Sequence, residues 1–361
     1  MIPWRLPDSN RPPSDCEPDA LPDELNPRSG CKNTTKSLIK VFLTEIIYNH
    51  VETVTTLANK VYLCRSFKTH TAMFIEEYII FRVNALLHAH DAKIVMRLEG
   101  GMSNYTYVVE CEGKKYTYRV PGKFAEKFVD RDEEWANIQE VSRLGLNNET
   151  TYVEIRSGEK LAEYVEGTIM STTDVVSYNE MSVKALKKIH NSDLKFKDYN
   201  AFGRLDADQN YCLETGYVFP QEYLDLRKKL DAIRDTQVNV PKVPCHCDYQ
   251  PTNLVISGDK LYVLDWEFAG MNDPFYDIAC YGNVGFDKAL ALLEAYVGHK
   301  PNKEELQRLY FHRAFQCLQW FNVAIFKDRV GLSKDLNMDF NAVAFMFLGM
   351  AKNLLDNYDK L

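Results

Sequence analysis

The chain has 361 residues, of which 45% are hydrophobic and 26% are charged, as expected for a globular protein of roughly two domains. It carries 43 Lys and Arg against 51 Asp and Glu, and this net charge of −8 argues against nucleic acid as a partner. The sequence contains neither a spanning-length apolar run nor a signal-peptide pattern. We therefore expect no membrane insertion and a cytoplasmic location.

The first 72 residues lack the pattern of a folded domain. Residues 1–36 are rich in Pro, Asp, Asn and Ser and have no apolar period, so they cannot bury enough surface to offset the entropy lost on ordering. We expect residues 1–72 to be a disordered or spurious extension, with Met73 as a candidate true start. The alternative is a small regulatory domain.

Residues 73–167 predict a sheet-rich N-terminal lobe. Apolar residues follow a helical period from Phe74 to Leu87, and a second helix is predicted at 131–144, closed by Gly145. Short β-prone runs bounded by turn residues predict five strands. These predicted strands are 93–98, 105–111, 115–120, 151–155 and 160–165.

Residues 168–361 predict a mainly helical C-terminal lobe. One strand–turn–strand unit, 254–257 and 260–264, interrupts the helical pattern. The predicted helices are about 173–190, 220–234, 286–297, 303–327 and 339–357. A sheet-rich lobe followed by a helix-rich lobe indicates the α+β class.

The strongest chemical signal is the segment HCDYQPTN, followed eleven residues later by the run LDWE. The spacing H-x-D-x-x-x-x-N is typical of a loop in which the Asp accepts a hydroxyl proton and the Asn holds a metal ion. A second Asp after a short hairpin holds metal ions during phosphoryl transfer. The predicted catalytic residues are Asp248, Asn253 and Asp265, and the predicted Mg²⁺ ligands are Asn253, Asp265 and Glu267. A surface loop with scattered acids does not explain the apolar hairpin between them.

The stretch VPCHCDYQPTNLVISGDKLYVLDWEFAGMNDPFYDIA resembles the choline/ethanolamine kinase family, within the wider aminoglycoside-phosphotransferase-like kinases. The resemblance covers residues 90–355 and is strongest to bacterial choline kinases that supply phosphocholine for cell-surface glycans. It implies a protein-kinase-like fold with a small antiparallel-sheet lobe, a larger helical lobe and a hinge near 163–167. It also implies ATP and Mg²⁺ as cofactors.

The resemblance assigns nucleotide-binding roles in the N-terminal lobe. Arg119 stands where protein kinases place a phosphate-binding Lys, and Glu134, with Glu133 as the fallback, is its expected ion-pair partner. The other implied nucleotide contacts are the loop residues Gly100, Gly101, Ser103 and Asn104 and the hinge residues Glu163 and Val165. The simpler alternatives are an ordinary turn, a solvated strand charge and an edge strand.

Three further residues are expected to support the site without doing chemistry. The resemblance implies that Asp277 braces the catalytic loop. His246 is interpreted as an orienting core residue and His190 as a packing residue at a helix end.

A quaternary ammonium is best held by aromatic faces, and the resemblance makes Trp320 the leading contact for a choline acceptor. The other aromatic candidates, most of them expected in the core, are Phe311, Phe315, Phe321, Phe326, Phe340, Phe345 and Phe347. Cys317 and Val284 depart from the family pattern, so ethanolamine or another small amino alcohol stays open as the acceptor. An aminoglycoside or thiamine kinase and a non-catalytic pseudokinase are the further alternatives.

Overall fold

The protein is described by a computed structural model over residues 68–98, 104–237 and 240–361. The chain divides into two units, Met1–Ala72 and Met73–Leu361, and the candidate site lies in the second. The predicted absence of packed structure in residues 1–36 falls outside the described residues, as does most of the predicted extension.

The second unit begins with a five-stranded sheet. Its strand order is β1-β2-β3-β5-β4, and every neighbouring pair is antiparallel, so the predicted sheet-rich lobe is confirmed. Its elements are α1 (Lys68–Leu87), β1 (Lys93–Leu98), β2 (Asn104–Cys111), β3 (Lys114–Pro121), α2 (Arg131–Val141), β4 (Thr150–Val153) and β5 (Lys160–Glu163).

Local turn chemistry sets the register of this sheet. Strands β2 and β3 are joined through Glu112 and Gly113, both with positive φ, as a tight hairpin whose twist matches its strands requires. Ile79 and Val83 of α1 are fully buried against the sheet. The pairing of β3 with β5 sets Arg119 opposite Lys160, so these two side chains leave the same face.

The rest of the chain is mainly helical, as predicted. Its elements are β6 (Thr168–Ile169), α3 (Asn179–His190), α4 (Ala201–Glu214), α5 (Gln221–Gln237), β7 (Val243–Cys245), β8 (Leu254–Ser257), β9 (Lys260–Val263), β10 (Gly270–Asn272), α6 (Pro274–Cys280), α7 (Phe286–Val297), α8 (Lys303–Arg329), α9 (Leu332–Asp335) and α10 (Phe340–Tyr358). Strand β8 and helix α7 have the predicted bounds.

The sequence pattern did not predict α4 and α6. Helix α4 turns Phe202, Leu205 and Cys212 towards the core, but Asp208 occupies the same face and interrupts the apolar stripe. Helix α6 has only seven residues. The predicted end of α2 was also too late, because the last residues before Gly145 form a 3₁₀ turn, Ser142–Leu144.

Helix α8 is the central element of the helical part. An Asn302–Glu305 capping box fixes its start. Most of the aromatic residues named from the sequence are buried in its packing against α4, α6 and α10, as expected. Among the described residues, no helix combines the length and apolarity needed to span a membrane.

Candidate active site

A cleft of about 810 Å³ lies between the sheet and the helical part of the second unit. The sheet, the hinge region and the segment of β8 and β9 contribute an apolar patch to its wall, namely Leu98, Ala162, Tyr164, Val165, Ile169, Val255 and Leu264. Helices α4, α6 and α8 contribute Asp208, Tyr276, Cys280, Gln316, Gln319, Trp320 and Val323. The predicted catalytic residues Asp248, Asn253 and Asp265 all line this one cleft.

The loop that carries Asp248 is held from below by Asp277. This fully buried carboxylate accepts the backbone N–H groups of His246, at 2.9 Å, and Cys247, at 2.7 Å. His190, which the sequence suggested only for packing, lies 3.1 Å from Asp277 through Nε2. Asp277 therefore braces the loop through main-chain bonds, and His190 orients that carboxylate.

His246 links the two loops of the site. Its Nε2 lies 2.9 Å from the carbonyl oxygen of Leu264, and its Nδ1 accepts the N–H of Asp248 at 3.2 Å. A ring that donates from one nitrogen and accepts at the other is neutral, and burial lowers the pKa of His246 accordingly. The Leu264 N–H also donates to the Asn253 carbonyl, so the loops before Asn253 and Asp265 are joined directly.

Asp248 is held by two side-chain amides. Gln250 Nε2 donates to its carboxylate oxygens at 3.1 and 3.0 Å, and Asn253 Nδ2 donates to Oδ2 at 2.8 Å. Asn283 in turn donates to the Gln250 oxygen at 2.6 Å. Burial, followed by the negative charge of Asp265, raises the pKa of Asp248 well above its usual range. Such a carboxylate is oriented in the cleft and has increased proton affinity, as a general base requires.

The backbone is strained at two points of the site. Cys247, immediately before Asp248, has φ 61°, and Asp265 has φ 66°, although left-handed conformations are uncommon for residues other than glycine. Such strain persists only where surrounding contacts over-determine it. Here the Cys247 N–H donates to Asp277, and the N–H of Leu264, the residue before Asp265, donates to the Asn253 carbonyl.

Buried ion pairs connect the sheet to the Asp265 loop. Arg119 makes a bidentate pair with Glu134 at 2.7 Å for each bond, while Glu133 instead contacts Lys197. Glu267 accepts from Arg119 at 3.2 Å and from Arg131 at 2.8 Å. Burial opposes ionisation of Glu134, but nearby cations, led by the lysine of β5, hold its pKa well below the usual range.

Arg119 is more enclosed than its expected role in phosphate binding suggests. It is only 4% exposed, and its guanidinium donates to Glu134, Glu267 and the Gly158 carbonyl. Its strand partner Lys160 lines the cleft and lies 3.1 Å from Glu134 and 3.6 Å from Asp265. Lys160 was missed from the sequence because its position depends on the pairing of β3 with β5.

The structure describes the predicted hinge and, of the predicted phosphate loop, only Asn104. Both backbone groups of Glu163 are hydrogen-bonded. Its N–H donates to the Glu149 carbonyl, and its carbonyl accepts from the Asn148 side chain at 2.7 Å. Val165 follows on the cleft wall and makes no backbone hydrogen bond to the described residues. Asn104 lines the cleft with a buried side-chain oxygen that has no partner in this part of the structure. Gly100, Gly101 and Ser103 lie outside the described residues.

Two of the three predicted metal ligands, Asp265 and Glu267, belong to a cluster of carboxylates whose third member is Glu134. Oxygens of Glu134, Asp265 and Glu267 lie within 4.8 Å of one another. Asn253 uses its amide nitrogen on Asp248, so its oxygen is the atom that could bind a cation. Carboxylate and amide oxygens suit Mg²⁺. The chemistry of these residues therefore fits the ion, with Glu134 and Glu267 also held by basic residues of the protein.

Trp320, the predicted contact for an acceptor, is on the helical side of the cleft. It lines the cleft and stacks on Phe347 at a centroid distance of 6.4 Å. Cys317 is buried in the packing of α8, and Val284 is 37% exposed and does not line the cleft. Tyr276 of α6 and Tyr199 of the segment before α4 are further aromatic residues that line the same cleft. The sequence did not single these tyrosines out.

A small antiparallel sheet, a helical part and a loop-borne Asp–Asn–Asp set in the cleft between them define a kinase-like phosphotransferase. A family model described as "Phosphotransferase enzyme family" matches residues 94–311. The chain belongs to this family.

Individual relatives agree with this assignment. The chain is 33% identical to Protein LicA of Haemophilus influenzae over 256 residues, which cover 65% of this chain and 73% of LicA. The structure is similar to choline kinase LicA from Streptococcus pneumoniae, with a TM-score of 0.65 and 21% identity over 79% of this chain and all of that one. It is also similar to a choline/ethanolamine kinase family protein from Mesorhizobium loti, with a TM-score of 0.62 and 24% identity over 77% of this chain and 94% of that one. These two solved structures bear out the protein-kinase-like fold.

Proposed function

We propose that the protein is an ATP-dependent choline kinase that forms phosphocholine. One observation carries this proposal: the Asp248 carboxylate, held by two amides, lies in the same cleft as the Asn253–Asp265 pair and the aromatic faces of Trp320 and Tyr276. The first group suits transfer of a phosphoryl group to a hydroxyl, and the second suits an acceptor with a quaternary ammonium.

The nucleotide is proposed to bind on the sheet side of the cleft. Its adenine would contact the apolar wall and the backbone of Val165, beyond the engaged backbone groups of Glu163. Its phosphates would approach Asn104 and the segment containing Gly100, Gly101 and Ser103. Mg²⁺ held by Asn253 and Asp265, with Glu267 beside them, would neutralise charge on the β- and γ-phosphates.

Lys160 is proposed to make the direct cationic contact with phosphate. Lys160 carries the one ammonium group of the ion-pair cluster, and it lines the cleft. This ammonium lies between two acids, Glu134 and Asp265. Arg119 also lines the cleft, but its N–H groups are used within the protein. We therefore assign Arg119 a positioning role, in which it fixes Glu134 and Glu267 beneath the phosphate site.

Asp248 is proposed to orient the acceptor hydroxyl and to receive its proton. The acceptor oxygen then forms a bond to the γ-phosphorus as the bond to the β–γ bridging oxygen breaks, which gives phosphocholine and ADP. The raised pKa of Asp248 increases its affinity for that proton. The proton is held until the product leaves and solvent takes it up.

The lining of the helical part favours a small amino alcohol over the alternatives. An aminoglycoside carries several ammonium groups and would require several acids, yet within the described residues of α4, α6 and α8 the cleft is lined by one acid, Asp208. A pseudokinase would have lost one of Asp248, Asn253 and Asp265, and all three are present. Ethanolamine is the second candidate, since it differs from choline only in its head group.

The cellular setting is proposed from the resemblance and from the need for ATP. Both favour action in the cytoplasm, and the likeness to bacterial choline kinases favours use of phosphocholine in modifying cell-surface glycans or lipids.

An acceptor panel tests the proposed function. ATP consumption with Mg²⁺ would be measured for choline, ethanolamine, thiamine and kanamycin, with Asp248→Asn as the inactive control. We expect the largest kcat/KM for choline and a smaller value for ethanolamine. A larger kcat/KM for thiamine or kanamycin would overturn the acceptor, and no turnover with any alcohol would favour a binding protein.

A further inference from the structure

Asp208 is the one buried residue of α4 whose side chain is charged. The other buried positions of this helix are Phe202, Leu205 and Cys212, and Asp208 is only 6% exposed. The cleft reaches it, together with Arg204 and Ala207 on the same helix face. An acid at such a position costs stability unless something compensates its charge.

No basic group within the described residues forms an ion pair with Asp208. Its one hydrogen bond is from Gln319 Nε2 to Oδ2 at 3.2 Å, and Gln319 is neutral. Arg204, one turn earlier, donates instead to the carbonyls of Tyr199 and Phe128. Burial raises the pKa of Asp208 to about 7, and the hydrogen bond from Gln319 and the more distant charge of Arg204 only partly oppose this effect. The charge is thus left without a counter-ion at a wall of the cleft.

A chain of hydrogen bonds fixes the orientation of this carboxylate. The Tyr199 and Tyr276 hydroxyls lie 3.1 Å apart, Tyr276 donates to the Gln319 oxygen at 3.1 Å, and Gln319 donates to Asp208. Burial raises the pKa of Tyr276 well above its usual range, so its hydroxyl keeps its proton and remains a donor. The chain joins Asp208 to the hydroxyls of both tyrosines, and Asp208, Tyr199, Tyr276, Gln319 and Trp320 all line the cleft.

We infer that Asp208 is a specificity-determining residue whose carboxylate recognises the positive charge of the acceptor. This inference rests on the proposed function, because it supposes an amino alcohol in the helical part of the cleft. An ammonium group there would supply the counter-ion that the protein lacks. The aromatic faces would contact its methyl groups while Asp208 supplies the opposite charge. Asp208 then selects a cationic alcohol over a neutral one of the same shape.

A neutral isostere of choline tests this inference. In 3,3-dimethylbutan-1-ol a carbon replaces the nitrogen, so shape and hydroxyl are kept and the charge is lost. We would measure kcat and KM for both alcohols with the wild type and Asp208→Asn, which keeps the side-chain shape. The matched control is Asp206→Asn, because Asp206 lies on the same helix but is exposed and paired with Arg227 at 2.7 Å.

We expect Asp208→Asn to raise the KM for choline roughly 10- to 100-fold. The values for the neutral isostere should change less than about threefold, and Asp206→Asn should behave as the wild type. Equal losses for the two alcohols would mean that Asp208 only maintains the fold, and an unchanged choline KM would remove its role altogether. If the wild type neither binds nor phosphorylates choline or ethanolamine, the proposed function itself fails, which is a different result from an active enzyme insensitive to Asp208→Asn.

Discussion

The two sides of the cleft handle buried charge in opposite ways. On the sheet side the acids Glu134, Asp265 and Glu267 are matched by basic residues within 4 Å, namely Arg119, Arg131 and Lys160. On the helical side Asp208 has no such partner among the described residues and accepts one hydrogen bond from a neutral amide. A balanced network holds a site together, whereas an unbalanced charge indicates where a charged ligand belongs.

The pKa values of the two regions reflect this difference. The basic neighbours of Glu134 hold its pKa far below the usual range despite its burial, so it stays ionised. Burial without a basic partner raises the pKa of Asp208 to about 7, so a cation bound beside it would favour the charged form. The negative charge of Glu134 is therefore compensated within the protein, whereas that of Asp208 would be compensated by the bound substrate.

The largest effect on activity is expected at the proposed metal site, on the sheet side of the cleft. Asp265→Ala should abolish turnover, because it removes a proposed Mg²⁺ ligand that faces the cleft. The far-ultraviolet circular dichroism spectrum and the unfolding midpoint should stay close to the wild type. Asp259→Ala, in the exposed turn of the same hairpin, is the control and should keep full activity. Wild-type turnover in Asp265→Ala would remove the metal assignment.

The balanced network should be most sensitive to the loss of one charge. Glu134→Gln should lower the free energy of unfolding by about 3 kcal/mol, since removing one partner leaves buried cations uncompensated. Glu140→Gln on the same helix breaks only an exposed pair with Arg143 and should cost less than about 1 kcal/mol. Urea denaturation of both variants measures the difference. Equal losses would contradict the distinction between buried and exposed pairs.

Lys160 and Arg119 should respond differently to removal of their charge. Lys160→Met should act mainly on the KM for ATP, raising it roughly tenfold, because Lys160 is proposed to contact phosphate directly. Its stability loss should be the smaller of the two, because Lys160 makes one bond to buried Glu134 and Arg119 makes two. Arg119→Met should instead lower the unfolding midpoint, because it breaks buried pairs with Glu134 and Glu267. Lys93→Met is the control, as Lys93 pairs with Glu110 at the sheet surface. An unaltered ATP KM in Lys160→Met would return the phosphate contact to Arg119.

The smallest effect is a pH dependence of choline binding on the helical side of the cleft, where Asp208 lies. Asp208 is charged above its pKa of about 7, so choline should bind more weakly as the pH falls below 7, by up to about tenfold for each pH unit. Choline carries a permanent charge, and the nearby Cys212 thiol, whose pKa burial raises to about 12, stays neutral near pH 7. Tyr276 also stays protonated there.

Calorimetric titration of choline between pH 6 and 8 measures this dependence without turnover. The wild type should show it and Asp208→Asn should not, although Asp248 in the same cleft remains intact in both. A pH dependence that persists in Asp208→Asn would assign the titration to another group.

The parts of the fold that were predicted are those with local signals. The hairpin β8–β9, the hairpin β2–β3 and helix α7 combine turn residues or an apolar period with short sequence separation, and their bounds match closely. Helix α4 was missed because Asp208 breaks its apolar stripe. The proposed functional residue thus prevented prediction of the helix that carries it, as is expected where local pattern and function conflict.

The parts of the site that were missed depend on long-range contacts. Lys160 joins the phosphate side only through the pairing of β3 with β5. Tyr199, Tyr276 and Gln319 come from three separate elements and meet through side-chain hydrogen bonds that no local motif encodes. The loop from His246 to Asn253 was found because its spacing places the amide of Asn253 on Asp248 within a single turn of chain.

The central claim is that Asp248 accepts the proton of a choline hydroxyl as it is phosphorylated, and ³¹P nuclear magnetic resonance of the reaction tests it most directly. With ATP, Mg²⁺ and choline, the wild type should form phosphocholine and ADP in equal amounts. Asp248→Asn should bind ATP as the wild type does and form phosphocholine roughly 10²–10⁴-fold more slowly. The absence of phosphocholine from the wild-type reaction, or an unchanged rate in Asp248→Asn, would contradict the claim.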